Sequence, residues 1–247
     1  MSKLRKCSGS VWARRCLRFL KKTLNRLYYF WTWDPWGCVS YSQEGEDLIL
    51  ARIFEDRLTG FYVDIGAHHP FRFSNTCLFY RRGWQGINID AMPGSMRIFR
   101  KHRPKDINLE IGVGERREKL PFHMFNDSAL NGFSSDLSIE RDETTTYFIE
   151  DVVSIDVVPL GEILDEHLPS DQGIDFMSVD VEGHDLQVLK SNDWERYRPK
   201  YVLVEVLGCN VGDAGQSDVG LFMFGKGYEL YAKSVNTAFF KEAMSWR

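Results

Sequence analysis

From residue 41 onward the hydrophobic positions follow two alternating rhythms. Short apolar runs, each stopped by a glycine or an acid, predict strands over 61–66, 86–90, 106–113, 174–181 and 201–207. Between them apolar residues recur at helical spacing, predicting helices over 41–55, 74–82, 93–102, 159–168 and 184–194. Strand and helix taking turns is the signature of an α/β fold, a doubly wound and mostly parallel sheet with two further C-terminal strands closing it. Residues 114–158 break the alternation. They hold a strand at 120–125, a polar loop through Asn131, Gly132, Phe133 and Ser134, and a β-rich run over 147–158, so they read as an insertion. In such a sheet ligands bind beyond the carboxyl ends of the strands, which directs attention to the strand tips.

The first 40 residues have a different character. Ala13, Cys16, Leu17, Leu20, Leu24, Leu27 and Trp31 fall on one helical stripe, opposite Arg14, Arg15, Arg18, Lys21, Lys22 and Arg26. Aromatic residues follow at Tyr28, Tyr29, Phe30, Trp31, Trp33 and Trp36, and Asp34-Pro35-Trp36-Gly37 ends the pattern. The basic residues interrupt every run that might reach a membrane span, and no secretory signal follows the basic start. The expectation is an N-terminal amphipathic helix over 1–40, lying on an anionic membrane surface, with docking on its own body or self-association and a nucleic-acid partner as the other readings, and a single domain over 41–247.

Composition sharpens this division. Apolar residues make up 43% of the 247, enough for a substantial core, which excludes a disordered or fibrous chain. Net charge is −4, but residues 1–33 carry nine Lys/Arg and no acid, against 22 basic and 35 acidic residues in 34–247. An acidic body argues against a nucleic-acid partner. Cys7, Cys16, Cys38, Cys77 and Cys209 are odd in number with no CxxC pair, which points to a reducing, cytoplasmic setting, peripheral on the inner face of a membrane if the arm binds lipid.

The strand tips carry the chemistry. Asp64-Ile65-Gly66-Ala67 ends the first strand, yet His68, His69 and Pro70 follow where a dinucleotide fold would place more glycines, so the pyrophosphate cradle is missing. Asp90 ends the second strand 24 residues after Gly66, the placement of an acid that accepts from ribose hydroxyls. Together they suggest a nucleoside without a pyrophosphate. Ser74-Asn75-Thr76 either caps the next helix or helps hold a ligand carboxylate. At the fourth tip His184 can take a proton, while Asp180 and Glu182 can orient a donor, bind a cation or hold a divalent ion. Glu205 sits in an apolar run where a carboxylate is costly without a partner, and Asp180 with Glu205 is the candidate oxygen-ligand metal pair. His68 and His69 form a second candidate base pair, with packing as the plainer role.

Through Tyr41-Ser42-Gln43-Glu44-Gly45-Glu46-Asp47, the 61–67 run, the 174–185 run and Val202-Leu203-Val204-Glu205-Val206, the chain resembles the FkbM family of S-adenosylmethionine-dependent methyltransferases over roughly residues 41–243. The resemblance implies a class I (Rossmann-like) methyltransferase fold with a seven-stranded sheet and helices on both faces. It also implies S-adenosylmethionine as cofactor, with Asp64, Gly66 and Ala67 at its methionine part and Asp90 on its ribose. Gln43, Asp47, Asn75 and Asp180 are expected around the same group. Family members commonly carry Asn and Gly where His68-His69-Pro70 stand here. O-methylation of a hydroxyl on a sugar, glycan, glycolipid or secondary metabolite is the expected reaction. His184, or His68 or His69, would take the proton, while Asp180, Glu182 and Glu205 orient the acceptor or a metal. Two other readings stay open: a metal-dependent hydrolase, and a membrane-recruited binding module with a vestigial pocket. The absent phosphate loop disfavours a dinucleotide oxidoreductase.

Overall fold

The computed structural model describes residues 36–243, so the expected N-terminal helix lies outside the described residues. The chain divides into two units at Val39/Ser40, and every strand and helix named below belongs to the second. Its main sheet contains β1 (Phe61–Ile65), β2 (Gln85–Asp90), β3 (Ile107–Glu110), β7 (Phe176–Val179), β8 (Tyr201–Glu205), β9 (Tyr228–Lys233) and β10 (Thr237–Glu242). They lie in the order β3-β2-β1-β7-β8-β10-β9, and β10 alone runs against its neighbours. This is the seven-stranded, mostly parallel order that the resemblance implies. The order reverses between β1 and β7, which leaves a crevice over their tips.

Parallel strands need cover on both faces, and the alternation of side chains supplies it. Val63, Ile65, Met177, Val179, Val202 and Val204 point to one face, where they pack with Leu160, Ile163 and Leu164 of α5 (Leu160–His167) and Val188 and Leu189 of α6 (Asp185–Lys190). Tyr62, Phe176, Leu203 and Phe239 point to the other, against Leu50 of α1 (Glu46–Ile53) and Phe79 of α2 (Cys77–Arg81). Phe54, Phe79 and Trp84 add an edge-to-face cluster there, with ring centroids 4.8 Å apart for Phe79 and Trp84. Met96 and Phe99 of α3 (Met96–His102) pack with Ala67 under the chain that leaves β1.

The first predicted helix begins five residues late. Ser42 Oγ accepts the Gly45 N–H at 3.1 Å and Asp47 Oδ2 accepts the Tyr41 N–H at 2.8 Å, so side chains hold residues 41–45 in a turn before α1 starts. The third predicted strand is cut at Ile111. After it, β4 (Gly112–Val113) leaves the main sheet for a second one with β5 (Glu118–Phe125) and β6 (Ile149–Val158), in the order β4-β6-β5. After the predicted polar loop the insertion contains a helix that the pattern does not predict, α4 (Ser135–Thr144), whose start Ser134 caps by accepting the Leu137 N–H. Two further helices, α7 (Val211–Ala214) and α8 (Asp218–Gly225), lead to β9. Among the described residues no helix is long and apolar enough to cross a membrane.

Candidate active site

A cleft enclosing about 760 Å³, its mouth included, opens over the tips of β1, β2 and β7 and is roofed by the insertion. Gly66 makes it possible. Its φ is 79°, and a Cβ there would stand 1.7 Å from the Asp180 carbonyl oxygen, so no other residue fits between the two strand tips. The glycine lets the tips of β1 and β7 close against each other at the floor of the cleft, which Gly66 itself lines. One wall is apolar, with Ala91, Met92, Ile111, Phe122 and Phe133; the other carries Gln43, His68, Asp90, Asp180 and Glu182.

Asp90 accepts the Met92 N–H through Oδ1 and the His68 N–H through Oδ2, each at 2.8 Å. These bonds fix the carboxylate but use one lone pair on each oxygen, leaving acceptors for a pair of hydroxyls. Burial raises its pKa. Asp180 keeps solvent contact along the cleft while lying deep among protein atoms. Burial first, then the charges of Glu205, Glu182 and Asp185, push its carboxyl well above the usual range. The same causes raise Asp185 to about 7, mainly through burial, and Glu205 to about 8, through burial and then Glu182 and Asp185. The cation Arg141 of α4 meets this group, 2.6 Å from Glu182, and partly offsets the burial that raises the Glu182 carboxyl. Asp180 and Glu182 line the cleft with Asp185 and Glu205 behind them and one arginine paired to Glu182, an acidic cluster that favours a positively charged ligand.

The structure separates the remaining expected site residues from the cleft. Asp64 is buried and accepts the Thr76 hydroxyl at 2.7 Å; both Nη atoms of Arg103 in turn donate to that hydroxyl at 2.9 Å. Burial pushes Asp64 up to about 6, against the hydrogen bond from Thr76. Ala67 is packed on α3, and Asn75 donates to Ser178 Oγ at 3.0 Å, tying the approach to α2 onto β7. Asp47 builds the turn that carries Gln43 to the cleft. His184 does not line the cleft either: its ring is 5.8 Å from that of Phe133, and its Nε2 is buried without a hydrogen-bond partner beside Gly114. Burial lowers its pKa, which keeps it neutral. Glu205 stands at the β8 tip, paired in register with Thr237, outside the lining.

His68 takes the place expected of His184. It lines the cleft with Nε2 buried and unpartnered, and burial, Arg72 and His69 lower its pKa to about 4. His69 faces away, its Nδ1 accepting the Phe71 and Arg72 N–H groups at 3.1 and 3.0 Å. Met92, Ile111, Phe122 and Arg141 are not legible as site residues in the sequence; their only signal is proximity to Asp90 or membership of the insertion. Among the described residues no three His, Cys, Asp or Glu side chains are placed to hold one metal ion.

The residues present fit S-adenosylmethionine. The spare acceptors on Asp90, the apolar lining residues and the acidic ones suit a nucleoside that bears cationic groups. No curated protein matches the chain. A Pyrococcus horikoshii protein of solved structure, provisionally described as an RNA methyltransferase, is similar with a TM-score of 0.42 and 12% identity over 83% of each chain. The fold assignment rests on the strand order rather than on that likeness. The family model described as the methyltransferase FkbM domain matches residues 64–230, the span that supplies β1, β2, β7 and the insertion around the cleft. The chain belongs to the FkbM methyltransferase family.

Proposed function

We propose that this methyltransferase transfers the methyl group of S-adenosylmethionine to a hydroxyl of a sugar, a glycan or glycolipid, or a secondary metabolite. The observation that carries the reading is the placement of Asp180, which is exposed along the cleft and lines it with Asp90 and Glu182, where a carboxylate can meet an acceptor hydroxyl. When bound, the cofactor supplies a methyl group already activated by positive charge, so the chain's own work is to position the acceptor and manage one proton. A raised pKa makes the Asp180 carboxylate a stronger acceptor of a hydroxyl proton than an ordinary carboxylate. Glu182, fixed by Arg141, orients the acceptor, and Asp90 holds the ribose. Met92, Phe122 and Phe133 keep water from the reacting groups. His184 and Glu205 lie outside the cleft lining, so this reading gives the proton to Asp180.

Calorimetry with S-adenosylmethionine and S-adenosylhomocysteine tests the cofactor site. Micromolar binding that Asp90→Ala weakens by about 100-fold is the expected result; no binding by the folded protein would favour a vestigial pocket. Asp180→Asn should keep S-adenosylhomocysteine affinity within a few-fold and lower kcat on a hydroxyl acceptor by about 100-fold or more. Unchanged turnover would remove Asp180 from proton transfer. The basic arm over 1–33, by the same proposal, seats the enzyme on an anionic membrane. Deleting it should abolish liposome binding and leave cofactor binding intact.

A further inference from the structure

The acidic body carries one strongly basic tract, and it borders the cleft. Residues 67–105 hold eight Lys/Arg and a single acid, Asp90, although 34–247 as a whole has 22 basic and 35 acidic residues. Asp90 faces inward, so the outer surface of this tract is positive. On α3, Arg97, Arg100 and Lys101 are exposed, and none of them forms an ion pair among the described residues. Like charges left unpaired along one short helix repel each other unless an anion shares them.

The segment from His68 to Phe73 joins this surface to the cleft. His68 and Phe73 both line the cleft, and both hold left-handed φ angles, 51° and 54°. Such angles cost energy in a non-glycine residue and persist where the surroundings fix a particular presentation of side chains. Here they turn Phe71 outward, 36% exposed, with its ring edge-on to His102 at 5.0 Å and to His69 at 5.9 Å. Because Nδ1 of His69 accepts two backbone N–H groups, its proton is on Nε2, and that donor is free for a ligand. Arg72 lies 4.5 Å above the Phe73 ring and pairs with Asp127 at 3.0 Å, which offsets part of its charge. The exposed α3 cations therefore set the positive sign of this surface, and His69 adds a neutral N–H donor beside Phe71 and His102.

We propose that the methyl acceptor is a phosphate-bearing sugar, with the phosphate on the rim formed by His69, His102 and the α3 cations and a sugar face against Phe71. The inference rests on the hydroxyl-acceptor reading and deepens it. The two halves of the site have opposite sign, and that orders the acceptor: its phosphate is repelled by Asp180 and Glu182 inside and attracted to the rim, so the hydroxyl end enters first. An exposed aromatic ring beside cations suits an amphipathic sugar face better than an open-chain anion.

The test titrates the full chain with glucose 1-phosphate, glucuronate and glucose, with and without S-adenosylhomocysteine, following affinity and the imidazole NMR signals of His69 and His102. Glucose 1-phosphate should bind at least about tenfold tighter than glucose, lose affinity with added salt, and move both imidazole signals. Exposed positions make variants that fold: His102→Ala, Phe71→Ala, and Arg97→Glu with Lys101→Glu should each weaken phosphate binding by about fivefold or more while S-adenosylhomocysteine affinity stays unchanged. Equal affinity for glucose and its phosphate, or phosphate binding untouched by these variants, overturns the proposal. Glucuronate binding as tightly as the phosphate overturns the phosphate assignment. Retained S-adenosylhomocysteine binding in those cases leaves the methyltransferase site standing. Conversely, variant-sensitive phosphate binding by a chain that binds no S-adenosylhomocysteine would sink the cofactor reading and keep the rim.

Discussion

Acids occupy the tips of both β1 and β7, and the fold treats them in opposite ways. At β1, Asp64 is sealed in a network that links Thr76, Arg103, Asn88, Asp106 and Tyr62; Tyr62 donates to Asp106 at 2.7 Å and Asn88 to the same oxygen at 3.0 Å. At β7, Asp180 faces the cleft among other carboxylates and is raised by them. The first arrangement spends a buried arginine on holding the strand in place. The second gathers carboxyls whose ionisation is held back by burial and by one another, with Arg141 paired to Glu182. An acid at a strand tip is thus structural or ligand-facing according to which cation is within reach, something a strand pattern does not reveal.

If the two tips differ in this way, the β1 network should be the more fragile under mutation. Arg103→Met should cost about 2–4 kcal/mol in urea denaturation, because it removes the buried cation between Asp64 and Asp106 and the two donors to the Thr76 hydroxyl, while the other donors to both carboxylates remain. A loss below about 1 kcal/mol would mean the network is not held by charge. Gly66→Ala joins the two regions. It should destabilise by about 1–3 kcal/mol through its φ, and it should lower S-adenosylhomocysteine affinity by far more than that loss accounts for, since the added carbon displaces the Asp180 carbonyl. Stability and calorimetry on one sample would separate the effects. A milder change reports on the β7 side. Glu205 has its carboxyl raised from an ordinary 4.5 to about 8 in the folded chain, by burial first and then Glu182 and Asp185. Below pH 4.5 it is protonated folded or unfolded; as pH rises toward 8 the unfolded chain ionises first, so stability falls across that window and levels off above it. Asp185, raised to about 7, adds to the same slope. Glu205→Gln should raise the Tm by roughly 2–4 °C at pH 8 and leave it unchanged at pH 4. An equal Tm change at both values would show that the cluster does not titrate.

Much of the main sheet is legible in the sequence because its strands are nearly continuous apolar runs closed by Gly66, Asp90 or Glu205, a pattern fixed by burial on both faces. Gly66 and Asp90 are readable at the site for the same reason, since each ends a strand beside the β1–β7 crevice. Direction is what a strand pattern leaves out. His184 follows the right strand, but its ring turns toward Phe133 of an insertion whose position no periodicity encodes. Helix α4 has no readable stripe because Leu137 and Ile139 are its only apolar side chains; its one sign is Ser134 as cap with Asp136 in the first turn. Without α4, the Arg141 partner of Glu182 is not readable either.

The insertion leaves and rejoins the main body at a single point. Gly112 and Val113 on the outgoing strand pair with Val157 and Val158 on the returning one, and between them β5 and β6 keep their own ladder from Glu118 to Phe125. A segment whose ends already touch can be exchanged for another of different length without re-spacing the strands beneath it. The roof over the cleft is therefore a graftable part. Swapping residues 114–156 between family members should trade acceptor preference while the cofactor floor, built from β1, β2 and β7, stays as it is.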